Sequence, residues 1–286
     1  MANEKYYTFS NVLGNFAFDS SFDIIEKPKS AKAIDAAAEL MALRRVLAHF
    51  KQSKYYRQFR EKNLQLTKQS LRESVGRDLL AIQTIDSISE LDRVINILAK
   101  RLREWYELYN PEISRTTVNN EKFVSIIESA ERQKESAGAD LPGRDVEQMK
   151  ELALALKRLY ESRKSNEDYL KSLMDSMCPN LGAVAGTLIG AKLISYAGSL
   201  KHLSELPAST IQILGAEKAL FRHMRTGAKP PKYGILYQHQ MIQKAKKQGR
   251  AARLLADKIS IATKVDYFKG QFVGDKLLEE IKRKLQ

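Results

Sequence analysis

Between Lys218 and Ala256 the chain carries ten Lys or Arg residues and no Asp or Glu. The cations are Lys218, Arg222, Arg225, Lys229, Lys232, Lys244, Lys246, Lys247, Arg250 and Arg253, with Phe221, Tyr233, Tyr237 and His239 interleaved among them. Cations at this density neutralise phosphates, and rings set between them offer stacking or hydrogen bonds to unstacked bases, so the chemistry is that of RNA binding. Arg222 and Arg225 are three apart, as are Arg250 and Arg253, so on helices each pair shares a face. Phe221 and Tyr237 fit a core better than an RNA platform, because aromatics at helical spacing usually pack inward. Lys246 and Lys247 also fit a solvated face. The run from Gly227 to Gly234 reads as a stiff loop, since Pro230 and Pro231 limit its backbone and glycines bound it. Glu217, the acid at the edge of the tract, suits either a helix cap or an acceptor for a base or for Lys218.

The rest of the sequence sharpens that reading by exclusion. Net charge is +14 over 286 residues, and the balances of segments 1–118, 119–177 and 178–286 are +4, −2 and +12, so the excess is local. No dinucleotide-binding glycine fingerprint, phosphate-binding loop, zinc-protease motif or nucleophile elbow occurs, and His49, His202, His223 and His239 lack metal-ligand spacing, so no catalytic centre and no metal site are expected. Cys178 is the single cysteine, which excludes an internal disulfide and a cysteine-based cluster, and a lone cysteine at a helix end reads as structural. The N-terminus lacks a basic start and an apolar core, and no uncharged apolar run of spanning length exists, so a soluble chain without a secretion signal or membrane partner is expected.

The elements that must position the basic tract follow from periodicity. Tyr7, Phe9, Val12, Phe16, Phe18, Phe22 and Ile24 alternate around Gly14-Asn15 and Asp19-Ser20-Ser21, which predicts short strands. Ser30 suits an N-cap before an Ala-rich helix, and a second helix is predicted from about Ser87, with Glu90 at capping-box spacing, to Tyr109 before Pro111. Residues 1–118 thus read as a small α/β domain.

Residues 119–177 read as an antiparallel coiled-coil hairpin broken at Gly138 to Gly143. In its second arm Met149, Leu152, Leu156, Leu159, Arg163, Asn166, Leu170, Leu173 and Met177 alternate by three and four. Met149, Leu152, Leu156 and Leu159 are the expected seam of a homodimer, the alternative being packing on the protein's own domains. Phe123, Ile126 or Ile127, Ala130 and Ala137 form the stripe of the first arm. Arg163 and Asn166 either fix register or lie at an exposed part of the seam. Residues 178–286 read as all helical, with Gly182, Gly186 and Gly190 lining one face of a core helix. The fold class is mainly α.

The segment ILGAEKALFRHMRTGAKPPKYGILYQHQMIQKAKKQGRAARLLADKISIATKVDYFKG resembles the signature of the Nop domain, shared by box C/D guide-RNA proteins and a spliceosomal factor. The upstream PNLGAVAGTLIGAKLISYAGSLKHLSELPASTIQILGAEK is similar to the same family, as is LDRVINILAKRLREWYELYNPEI at residues 91–113, so the resemblance covers most of residues 86–275.

That resemblance implies a scaffold with no catalytic residues and no cofactor of its own, S-adenosylmethionine being bound by a partner enzyme. It implies an N-terminal domain at 1–118 that binds the methyltransferase fibrillarin, a dimerising coiled coil at 119–177, and a helical Nop domain at 178–286. The last would recognise box C/D guide RNA together with a kink-turn-binding protein of ribosomal type. By the same implication Gly215, Ala216, Glu217 and Lys218 and the loop from Tyr233 to Ile242 face that composite surface, with Gln238 and His239 sharing the place of a family histidine. Arg222, Arg225, Lys229, Lys232, Arg250 and Arg253 complete the expected contacts. The function implied is RNA-guided 2′-O-methylation of ribosomal or transfer RNA, in the cytoplasm of an archaeon or the nucleolus of a eukaryote. The alternative is an RNA-binding adaptor of a processing or spliceosome-like particle without a methyltransferase.

Overall fold

The computed structural model describes residues 5–26, 32–129 and 136–285. These form one four-stranded sheet and fourteen α-helices, and packing divides them between Val75 and Gly76 into two compact units.

In the first unit β1 (Lys5–Asn11) and β2 (Gly14–Phe18) make an antiparallel hairpin with Tyr7 opposite Phe18 and Phe9 opposite Phe16. The two-residue β3 (Ile24–Ile25) adds to β2, and β4 (Lys32–Asp35) pairs parallel with β1, giving the order β3-β2-β1-β4. The expected strands are therefore present. The Ala-rich helix starts later than expected: residues 32–35 are drawn into the sheet, Asp35 then accepts from the Ala37 N–H at 2.9 Å to cap a 3-10 turn, and α1 (Leu40–Phe50) begins only after it. Ser30, the expected cap, lies outside the described residues. Phe50 is the hub of this core, its ring meeting those of Phe9, Phe16, Phe18, Tyr55 and Phe59. Tyr55 opens α2 (Ser53–Glu73) and is the one buried residue of that helix.

The second unit is built on two long helices. The first, α3 (Arg77–Glu107), starts ten residues before the expected Ser87, capped by Gly76. Ser87 lies inside the helix because its neighbours Ile85 and Ile88 are buried in the core, so apolar packing extends the helix through the capping-box pattern. After α4 (Pro111–Thr116) and α5 (Asn120–Ser129) comes α6 (Gly143–Met177), of 35 residues, about 50 Å at the usual rise. Its Met149, Ala153 and Leu156 pack with Ile95, Ala99, Leu102 and Tyr106 of α3 and with Phe123, Val124 and Ile127 of α5. Its Leu170, Leu173 and Met174 instead join Ala81, Ile85 and Ile88 of α3 in the C-terminal core. The helices thus run antiparallel past each other through both cores, which places the division of packing at Val75 rather than at residue 118.

This corrects the expected dimer seam. Met149 and Leu156 have no exposed surface and Leu152 and Leu159 are half-buried against the same cluster, because α3 and α5 cover the stripe that a second copy was expected to cover. Ala130 of the first-arm stripe lies outside the described residues.

The C-terminal core is closed by α7 (Pro179–Ala185), α8 (Thr187–Ala197), α9 (Leu200–Glu205), α10 (Ala208–Ile213), α11 (Glu217–Thr226), α12 (Gln240–Gln243), α13 (Gln248–Tyr267) and α14 (Gly274–Leu285). The glycine stripe is not one helix face. Gly186 takes φ +80°, which ends α7 and starts α8, and only Gly190 is closely packed, where a Cβ would stand 3.0 Å from Met174 Cε. Asp266 at the end of α13 caps α7: its Oδ1 accepts from the Asn180 side chain at 2.7 Å and its Oδ2 from the Leu181 N–H at 2.8 Å. Burial pushes this carboxyl up from its ordinary range, and the bonds from Leu181 and Asn180 pull it back. No helix among the described residues is long and apolar enough to cross a membrane.

Candidate nucleic-acid interface

The stiff loop after α11 is fixed at both ends. The Gly227 C-cap takes φ +68°, and His223 Nδ1 donates to the Ala228 carbonyl, locking the exit from the helix. At the far end the Gly234 N–H donates to the Gln212 carbonyl at 2.9 Å and the Ile235 N–H to the Leu214 carbonyl at 2.7 Å, while Gln212 Nε2 donates to the Lys232 carbonyl at 2.6 Å. A Cβ on Gly234 would stand 1.8 Å from the Leu214 oxygen, so only glycine permits this approach. The loop is laced to the end of α10 with its lysines outward.

Across from it lies the first half of α13. Ala251, Ala252, Leu255, Ala256 and Ile259 fix that helix into the core, which leaves Arg250 and Arg253 exposed. Between loop and helix is a cleft of about 640 Å³ lined by Gln212, Lys229, Pro230, Pro231, Lys232, Gly249, Arg250, Arg253, Leu254 and Asp257. Four of the expected contact residues, Lys229, Lys232, Arg250 and Arg253, thus share one concave surface with a single acid. An anionic backbone fits there, because proline fixes the loop in advance and a concave basic wall concentrates potential.

Gly215 to Lys218 form the turn into α11. Gly215 takes φ +84°, and its N–H donates to Glu217 Oε1 at 2.6 Å. Glu217 thus closes the turn before α11 and does not cap the helix, which has no side-chain cap. On α11 the spacing of Lys218, Arg222 and Arg225 puts them in one row, all three exposed, outside the cleft. The helix buries no residue at all, and beside its basic row Phe221 is 58% and Met224 66% exposed. The expectation that Phe221 belongs to the core is therefore wrong. Tyr237 is also exposed, at 44%, and stacks on Tyr233 with ring centroids 5.0 Å apart and 10° between planes. Tyr233 is held in turn by its hydroxyl, which donates to Gln248 Oε1 at 2.9 Å. Helical periodicity failed for Tyr237 because it sits in a four-residue 3-10 turn, Ile235–Gln238, where Leu236 takes the buried place.

Gln238 and His239 separate cleanly. Gln238 is exposed. His239 caps α12, its Nδ1 accepting from the Met241 N–H at 3.2 Å, and the ring makes a further hydrogen bond to the backbone of Val184. Desolvation holds its pKa below the ordinary 6.5, against the bond to Val184, which raises it. Gln238, rather than His239, is the side chain free to contact a ligand.

Sequence reasoning missed Gln212, for which no signal existed, and left Lys246 and Lys247 open between phosphate contact and a solvated face. The latter line a further hollow of about 480 Å³ with Lys232, Tyr233 and Gly249. No group of three or more metal-ligating side chains is present among the described residues. Cys178 is buried, and burial raises its thiol pKa strongly.

The model of the family described as "Nop: snoRNA binding domain, fibrillarin" matches residues 87–137 and 125–286. An uncharacterized NOP5 family protein of Methanocaldococcus jannaschii is 37% identical over 262 residues, 81% of this chain and 63% of that protein. Nucleolar protein 56 of Caenorhabditis elegans is 38% identical over 248 residues, 73% of this chain and 50% of its own length, and that of Homo sapiens 34% over 241 residues, 73% and 41%. This chain therefore spans between 41% and 63% of the length of these relatives. Among solved structures, a chain of the fibrillarin/Nop5p complex is similar over 98% of this chain and 100% of its own, at 23% identity and a TM-score of 0.49.

Proposed function

The chain belongs to the Nop family, and on that premise we propose that it is the non-catalytic scaffold of a box C/D ribonucleoprotein. It joins guide RNA and a kink-turn-binding protein to the methyltransferase fibrillarin, for RNA-guided 2′-O-methylation of ribosomal or transfer RNA. The observation that carries this reading is the prearranged cleft of Lys229, Lys232, Arg250 and Arg253 within the family-matched segment. It is suited to holding a phosphate backbone.

The work of the chain is then positional. The basic row of α11 with Phe221 and Met224 beside it is a mixed surface, suited to meeting RNA phosphates and an apolar patch of the kink-turn-binding protein together. The first unit, which exposes Leu40, Met41, Leu47 and Tyr56 on α1 and α2, is assigned to fibrillarin. Fibrillarin supplies the S-adenosylmethionine site. With the α6 seam covered, self-association is assigned to the outer face of α3, where Val94, Ile97, Trp105 and Leu108 remain exposed. A nucleolar place in a eukaryote, or a cytoplasmic one in an archaeon, goes with this role.

Reconstitution tests the proposal. Guide RNA, kink-turn-binding protein and fibrillarin are expected to methylate a target RNA only when this chain is added, and the chain with Lys229, Lys232, Arg250 and Arg253 all changed to Glu is expected to fail. Full methylation in its absence, or methyl transfer by this chain alone, would remove the scaffold reading.

A further inference from the structure

The basic surface does not stop at the cleft under the Pro230-Pro231 loop. A second cleft of about 640 Å³ lies between the turn before α13 and the last turns of α14. Its cations are Lys244, Lys246, Lys247, Arg250, Lys282 and Lys284, over a floor that includes Met241 and Leu285, and among the described residues no carboxylate lines it. None of the six makes an ion pair with a described residue. Glu280, four residues before Lys284, forms its ion pair with Lys258 and feels Lys284 only as a weaker, longer-range charge.

The two clefts share lining residues. Arg250 lines both, and the hollow between them takes Lys232 from the first side and Lys246 and Lys247 from the second. The whole path bends round the start of α13, a 20-residue helix with no acid in its first turn, whose free N–H groups add positive potential. Six cations over an apolar floor, of which Lys284 alone has a carboxylate, Glu280, acting on it, repel one another, and a chain of phosphates relieves that repulsion at successive points, which a single small anion does not.

We propose that the RNA strand held under the Pro230-Pro231 loop continues round the N-terminus of α13 into this second cleft, where Lys282 and Lys284 of α14 take its phosphates. The inference rests on the RNA-binding reading above and extends its footprint to a helix that the basic tract of the sequence does not include. It also gives Lys246 and Lys247 a role at the bend.

The test uses the full chain and a fluorescein-labelled single-stranded RNA long enough to follow all three hollows, with affinity measured by anisotropy over a salt series. K282Q/K284Q is expected to reduce the slope of log affinity against log salt by about 1.4, since each single-strand phosphate contact contributes about 0.7. K282R/K284R is expected to keep the full slope, and circular dichroism to be unchanged in both. K229Q/R253Q in the first cleft is the comparator. If it lowers the slope and K282Q/K284Q does not, the continued path is overturned and the RNA-binding reading stands; if neither does, both fall. Calorimetry with inorganic pyrophosphate separates the remaining source. Pyrophosphate binding lost in K282Q/K284Q with an unchanged RNA slope would make the cleft a small-anion site and overturn the path.

Discussion

Arg163 on α6 donates its Nε–H to the carboxylate of Asp92 on α3, and its Nη1 lies 3.1 Å from Glu167 one turn along its own helix. The pair stands where the two apolar clusters part, between Ile88 and Ile95 on α3 and between Leu156 and Leu170 on α6. A slip of one turn would set the guanidinium against Ile88 or Ile95 in place of a carboxylate. The pair is therefore placed to fix register within one chain rather than between two.

Asp92→Ala is expected to lower stability by about 0.5–1 kcal/mol, the range for a partly exposed pair screened by solvent. Asp92 retains 46% and Arg163 29% side-chain exposure, so a larger cost is not expected. Urea unfolding of Asp92→Ala, Arg163→Ala and the double variant checks this. Additive single effects, with no coupling between the two positions, would mean that the contact does not set register.

Leu156→Ala tests the covered seam. A fully buried leucine is expected to cost about 2–5 kcal/mol on truncation, and here the loss should appear in unfolding of the single chain whatever its oligomeric state. An unchanged urea midpoint together with a shift to lower mass in sedimentation would return Leu156 to an interface between copies.

What the sequence revealed and what it hid divide along physical lines. The stripe of α6 was legible as a seam because period fixes which residues are covered, but period is silent on what covers them, and α3 and α5 proved to be the cover. The strands around Gly14 were legible because alternation and turn residues agree; β4 was not, because Ala-rich Lys32–Asp35 carries no strand signal and is recruited by pairing with β1. Charge put Arg250 and Arg253 at the surface, and both are exposed. It gave no hint of Gln212, whose side-chain amide donates to the backbone of a loop twenty residues away. Phe221 was misassigned because α11 turns Ala219, Leu220 and His223 inward, and even these are only half-buried, so Phe221 falls on the outer side.

Asp266→Asn tests the tie between the two ends of the C-terminal core. Both carboxylate oxygens accept hydrogen bonds from the start of α7, and Asn180 Oδ1 in turn accepts from the Val273 N–H at 2.6 Å, so an amide would turn its NH2 toward other donors. The expected cost is about 1–3 kcal/mol for a buried donor left without an acceptor. Thermal unfolding measures it, and a variant as stable as the parent would mean that the cap contributes nothing.

His239 gives a pH dependence of definite sign. Its folded pKa is below the ordinary 6.5, so the unfolded chain binds the proton more readily. The stabilisation is fully present above 6.5 and is lost progressively as pH falls through the folded pKa. His239→Asn keeps an acceptor for the Met241 N–H and removes the titration. The fall in unfolding midpoint on crossing 6.5 downward should therefore be smaller in the variant, and an identical fall would assign the dependence to other groups.

The outer face of α3 carries the final prediction. Val94, Ile97, Arg101, Trp105 and Leu108 are spaced to fall in one narrow stripe, well round the helix from Ile95, Ala99, Leu102 and Tyr106, which face the hairpin core. Ile97 is 61% and Leu108 62% exposed, although both are large and apolar. If a second copy covers this stripe, Ile97→Asp with Leu108→Asp places carboxylates in a desolvated contact and the dimer should dissociate. The folded chain should be unharmed, because neither residue contributes to the core, and its affinity for the probe RNA should not change. Sedimentation equilibrium of the double variant decides the matter together with a urea titration. An unchanged mass would remove α3 as the interface, whereas a lower mass at unchanged stability would locate the contact on the face that the chain itself leaves uncovered.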